Sequence, residues 1–156
     1  MVKHSTLLST ITEAYGLTIL IDEATKEEVK DKFLIREVDS ITITSRSMLG
    51  YGFSQGPGAV DFCDQDCNAE PIRVFEILAP IGKDLSQDFT TSMICFELGL
   101  AEYRSRNWQE ALVHFRKAVQ LSNDEPSKTF ISRCRMSIEH MINLGDDWTG
   151  SWIFQI

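Results

Sequence analysis

Apolar positions mix strand-like and helical order up to residue 80 and turn wholly helical after residue 88. Leu7, Leu8 and Ile11 mark one face of a short helix over residues 2–14, ending near Tyr15-Gly16, where Gly16 suits a left-handed cap. Leu17–Ile21 is an apolar run broken only by Thr18, and predicts a buried strand. Thr25 and Glu28 stand at capping-box spacing and predict a helix over Lys26–Lys32. Glu27 and Glu28 fall in its first turn and Lys30 and Lys32 near its last, the polarity a helix dipole favours. Strands follow at Phe33–Val38 and Ile41–Thr44, the latter strictly alternating, with one face buried and one wet. Pro71–Leu78 reads as a strand that pairs with Ile41–Thr44 across a long loop.

That loop, residues 45–69, carries Gly50, Gly52, Gly56, Pro57 and Gly58 and then an acidic run with two cysteines, and keeps neither period. After a linker with Pro80 and Gly82 the period turns helical. Phe89–Arg104 and Asn107–Leu121 predict two helices joined by a tight turn at Ser105-Arg106. Pro126 suits the first position of a third helix over Ser127–Asn143, which Gly145 stops. The tail holds Trp148, Trp152, Ile153, Phe154 and Ile156, and so apolar a segment must dock on something. The fold class expected is α+β, divided into a mixed region over residues 1–80 with the insertion 45–69, a linker over 81–88, and a helical region over 89–156.

Composition narrows the function classes. The 156 residues are 43% hydrophobic and 24% charged, an ordinary globular balance. The net charge is −8, which disfavours nucleic acid and anionic membrane surfaces. No apolar run approaches the ~20 residues of a membrane span, and the first residues do not read as a signal peptide, so a cytoplasmic setting with reduced cysteines is expected.

Candidate chemistry is sparse. Cys63 and Cys67, beside Asp61, Asp64 and Asp66, have three residues between them, which fits no common zinc module. The reading is a solvated acidic loop, with no metal and no cofactor. His114 and His140 read as surface or helix-end histidines, and Cys95 and Cys134 as packed helix residues. Gly50–Gly58 does not lead from a strand into a helix with a lysine, so a P-loop is not met.

Two resemblances organise these pieces. Ile11-Thr12-Glu13-Ala14-Tyr15-Gly16, Ile19–Thr25, Val29–Phe33, Arg36–Asp39 and Glu70–Glu76 resemble the C-terminal half of the class III adenylate/guanylate cyclase catalytic domain. That resemblance implies a partial ferredoxin-like sheet of strand, helix and hairpin. Residues 92–142 resemble a tetratricopeptide repeat and a following capping helix. Gly99 stands at the small position of the first helix, and Trp108, Ala111, Phe115 and Ala118 at the aromatic and small positions of the second. Asn123 stands where the repeat has proline, and Glu102 where it has tyrosine. Some bacterial-type cyclases carry such a repeat and end in a tail similar to Asp146–Trp152, so with Trp148 and Trp152 these residues form the expected protein-interaction set.

The cyclase resemblance also implies what the chemistry would need. The metal-binding aspartates and the base selector lie upstream of the matched region. The asparagine and arginine that act on ribose and phosphate would fall at Lys3 and Leu7, and no arginine precedes Arg36. Leucine cannot stabilise charge developing on a phosphate. The expected function is therefore a non-catalytic, cyclase-derived interaction or structural module with a protein partner. The alternative is one part of a split or truncated cyclase whose partner carries the aspartates.

Overall fold

The computed structural model describes residues 11–44, 70–140, 144–145 and 148–155. Residues 11–14 are helical, and Tyr15 N bonds back to Ile11 O. Gly16 then takes φ +62°, as its position after the helix requires. The elements that follow are β1 (Leu20–Asp22), α1 (Glu23–Val29), β2 (Phe33–Thr44), β3 (Ile72–Pro80), α2 (Gln87–Arg104), α3 (Trp108–Ser122), α4 (Glu125–His140) and β4 (Trp152–Gln155).

The fold is α+β with a four-stranded mixed sheet in the order β1-β3-β2-β4. β3 lies antiparallel to both β1 and β2, with Ile41 opposite Ile72, so the long-looped hairpin forms as the alternation predicts. β4 lies parallel to β2, with Ile41 opposite Trp152. The apolar tail therefore docks as a strand and covers β2 along Ile41–Thr44, where a partial sheet would otherwise present an unpaired edge.

Four local readings are corrected. The strand expected at Leu17–Ile21 is confined to Leu20–Asp22, and Ile19 is 53% exposed. Leu17 N is used by Thr12 O in closing the preceding helical turn, so residues 17–19 are not free to pair as a strand. The helix expected at Lys26–Lys32 runs from Glu23 to Val29, because Asp22 and not Thr25 caps it, accepting from Thr25 N at 2.8 Å. The two strands expected at Phe33–Val38 and Ile41–Thr44 are one strand with register shifts at Leu34/Ile35 and Glu37/Asp39. Pro126 sits one residue inside α4, whose N-terminus is capped by Asp124, accepting from Ser127 N at 3.0 Å.

α2 begins at Gln87, with Ser86 Oγ accepting from Phe89 N. The α2–α3 turn places Arg106 at φ 64°, and Asn123 closes α3 at φ 56°. The insertion 45–69 and residues 141–143, which include the expected end of the third helix, lie outside the described residues.

One apolar core serves both the sheet and the helices. Leu20, Val38, Ile41 and Val74 from the strands join Phe96, Leu100, Tyr103, Phe115 and Phe130 from the helices. The core thus runs across the linker at 81–88. Among the described residues the sheet's opposite face is covered more thinly. α1 has no buried residue, and Phe75 is roofed by Lys26, whose Nζ lies 4.8 Å from the ring centre.

Candidate functional site

The helical hairpin is built by one small residue against one ring. A Cβ at Gly99 would stand 2.8 Å from Phe115 Cδ1, so only glycine admits the ring at this separation. Ala111, Phe115 and Ala118 are wholly buried beside it. Ser92 Oγ donates to Ala118 O at 2.9 Å and Ser122 Oγ donates to Ser92 Oγ at 2.6 Å, which settles the buried Ser92 hydroxyl across the same seam. Phe130 of α4 stacks on Phe115 at 5.0 Å and meets Tyr103 edge-on at 4.9 Å.

Trp108 and Trp148 extend this aromatic column. Tyr103 lies 5.2 Å from Trp108 and 5.6 Å from Trp148, and the two indoles lie 5.6 Å apart. Arg106 faces Trp148 and donates through Nη2 to Gly145 O. Trp152 covers the guanidinium of Arg133 at 4.2 Å. Gly99, Ala111, Phe115 and Ala118 are buried in one seam, Trp108 and Trp148 pack half-buried against the same core, and Trp152 lies half-buried over Arg133.

Two buried ionic clusters join the helices to the sheet. In the first, Arg133 of α4 donates to Asp39 Oδ2 at 2.6 Å and to Tyr15 Oη at 2.7 Å. Tyr15 Oη in turn donates to Asp39 Oδ2, and Ser40 N donates to Asp39 Oδ1 at 2.7 Å. Asp39 has no exposed surface and Arg133 has 3%. Burial lifts the phenols of Tyr15 and Tyr103 above their ordinary range, against the pull of Arg133. Burial also pushes the Cys134 thiol up to about 12, so this cysteine stays protonated and inert.

In the second cluster, Arg36 of β2 bonds Glu76 through Nε at 2.7 Å and Asp124 through Nη2 at 2.7 Å, with Phe96 4.5 Å beneath the guanidinium. Asp124 also accepts from Ser127 Oγ at 2.6 Å, so a helix cap doubles as an ion-pair partner. Arg36 Nη1 is buried and has no hydrogen-bond partner among the described residues. Burial lifts the Glu76 carboxyl above its ordinary value, Arg36 pulls it back, and Asp124 adds to the lift.

Tyr15, Arg36, Asp39 and Glu76 lie in the segments that carry the cyclase resemblance, but no site role was expected of them or of Asp124 and Arg133. One signal was present: an Asp39 between Val38 and Ile41, in a strand whose neighbours are apolar, needs a buried cation. The positions that the cyclase resemblance assigns to phosphate chemistry, Lys3 and Leu7, lie outside the described residues, as do Cys63 and Cys67.

Among the described residues no group of three or more His, Cys, Asp or Glu is placed to share a metal ion. His114 is half-buried and His140 exposed, in separate helices. An open depression of about 290 Å³ lies at the α2–α3 turn, lined by Arg106, Asn107, Trp108, Gln109, Glu110 and Ile138. Ile94 and Leu98, one turn apart on α2, are 53% and 48% exposed, and Val113 on α3 is 57% exposed. No helix among the described residues is long and apolar enough to cross a membrane.

No family model matches the chain, and neither a curated protein nor a solved structure matches it.

Proposed function

We propose that the chain is a non-catalytic, cyclase-derived module that binds a protein partner or serves as a structural subunit. In this reading β1-α1-β2-β3 is a partial ferredoxin-like cyclase sheet, and α2–α4 is a tetratricopeptide-like hairpin with its capping helix. The observation that carries it is the state of Arg36, the first arginine in the chain. It is buried over Phe96 and held by Glu76 and Asp124, so its charge is spent inside the fold and does not meet a phosphate. The exposed pair Ile94 and Leu98 on α2 supports a protein as the partner, since a helix presents such a pair on one face.

The test has two arms. The chain is assayed for cyclic AMP and cyclic GMP formation with magnesium or manganese, alone and with candidate upstream polypeptides. No turnover is expected in any combination. Turnover only with a partner that carries the metal-binding aspartates would make the chain one part of a split cyclase. In the second arm, capture from native extract is expected to retain a stoichiometric partner that Leu98→Asp releases. A monomer that retains no partner overturns the module.

A further inference from the structure

β4 is held differently from the other strands. β1 and β2 each pair antiparallel with β3, whereas β4 reaches β2 only after α2, α3 and α4, and lies parallel to it along Ile41–Thr44. Two aromatic anchors flank its entry. Trp148 is fixed in the column with Tyr103 and Trp108, and its Nε1 donates to Ser151 O at 3.0 Å. Trp152 lies over Arg133. Between the anchors stands Gly150 at φ +86°, pressed so closely on Arg104 that a Cβ would be 2.6 Å from its Cγ. Beyond this pivot four register pairs, from Ile41 opposite Trp152 to Thr44 opposite Gln155, and the Trp152–Arg133 contact hold the strand. Thr42 Oγ1 donates to Ser151 Oγ at 3.4 Å, and Ile153 remains 37% exposed.

We propose that the segment after Gly150 is an exchangeable strap. It leaves its own β2 and seats in the same register on β2 of a second copy of this chain, with the partner's Trp152 over Arg133. The occupant follows from the fit: the β2 edge accepts Trp152–Gln155 with Ile41 opposite Trp152, and each copy carries both that edge and that strand. Reciprocal exchange closes a two-fold dimer and leaves no strand unpaired. Closed and exchanged forms make the same strand contacts. They differ at the pivot and in the local concentration of the strap, which a short connection keeps at about the millimolar level in the closed form. The proposal does not depend on the proposed function, and neither cyclase activity nor extract capture bears on it.

Light scattering on the full chain tests it. The chain is raised from micromolar to millimolar concentration, warmed to just below its unfolding midpoint and cooled. The expected result is a species of twice the 17.7 kDa chain mass that grows with concentration, and a monomer throughout overturns the proposal. Copies carrying Thr42→Cys are also mixed with copies carrying Ile153→Cys, both with Cys63→Ser and Cys67→Ser. A disulfide-linked two-chain product is expected only in the mixture, and a dimer that the mixture does not trap overturns strand exchange. Trp152→Ala is expected to speed interconversion about tenfold while leaving the monomer–dimer ratio unchanged, because both forms lose the same cation–π contact. A shifted ratio at an unchanged rate overturns the shared-contact geometry.

Discussion

Arg133 and Arg36 do the same job at two places, tying a helix or helix cap to the sheet, yet their surroundings differ. Arg133 faces one carboxylate and two phenols, those of Tyr15 and Tyr103, and Asp39 uses both its oxygens on Arg133, Tyr15 and the Ser40 amide. Trp152 closes the remaining side. Arg36 faces two carboxylates, one of them, Glu76, still 19% exposed, and leaves Nη1 without an acceptor. A buried pair is hard to break when each member depends on the other for all its solvation. A guanidinium shared between two acids, one of which can reach water or take up a proton, is more forgiving. Burial alone would rank the two arginines equally; the completeness of their bonding separates them.

Four substitutions press on that difference. Asp39→Ala leaves the Arg133 charge buried and unpaired, and is expected to cost about 3–5 kcal/mol in urea unfolding, enough to remove much of a small domain's stability. Arg36→Met is expected to cost less, about 2 kcal/mol, since Asp124 keeps its Ser127 bonds and Glu76 can take a proton. An Arg36→Met loss equal to that of Asp39→Ala would erase the distinction. Tyr15→Phe removes one hydroxyl from the first cluster while keeping the ring, and about 1.5 kcal/mol is expected by the same measurement.

Glu76→Gln should change stability at neutral pH by under about 1 kcal/mol, because the amide oxygen still accepts from Arg36. Its larger effect is on pH dependence. The folded carboxyl has the higher affinity for its proton, so its contribution favours folding below the ordinary carboxylate value and is lost as pH rises through the raised folded one. Urea midpoints between pH 4 and pH 7 should therefore show a flatter slope for the variant; an unchanged slope would place the titration elsewhere.

Those residues also mark the limit of what the chain pattern reveals. Periodicity placed the three long helices and the β2–β3 hairpin, because each buries a continuous apolar face. The tetratricopeptide resemblance put Gly99 and Ala111 at the small positions of a helix–helix approach, and the ring that meets Gly99 is that of Phe115. The failures share a different cause. Asp39-Ser40 looks like a turn between two strands, yet it lies within one strand because a cation 94 residues away neutralises the aspartate. Asp22 and Asp124 took caps assigned to or near Thr25 and Pro126, since a short carboxylate reaches the third amide on readily. The arginine clusters were invisible because pairing across 88 and 94 residues has no local signature. β4 was legible only as an apolar segment in need of a surface.

The aromatic column has an optical consequence. The chain has three tryptophans, Trp108, Trp148 and Trp152, and all sit where the tail meets the helices. Indole fluorescence in this protein therefore reports the seating of the last strand, whereas the β2–β3 hairpin and the Gly99 seam carry no tryptophan. A red-shifted emission with unchanged far-ultraviolet dichroism would be the spectrum of a folded body with its tail released.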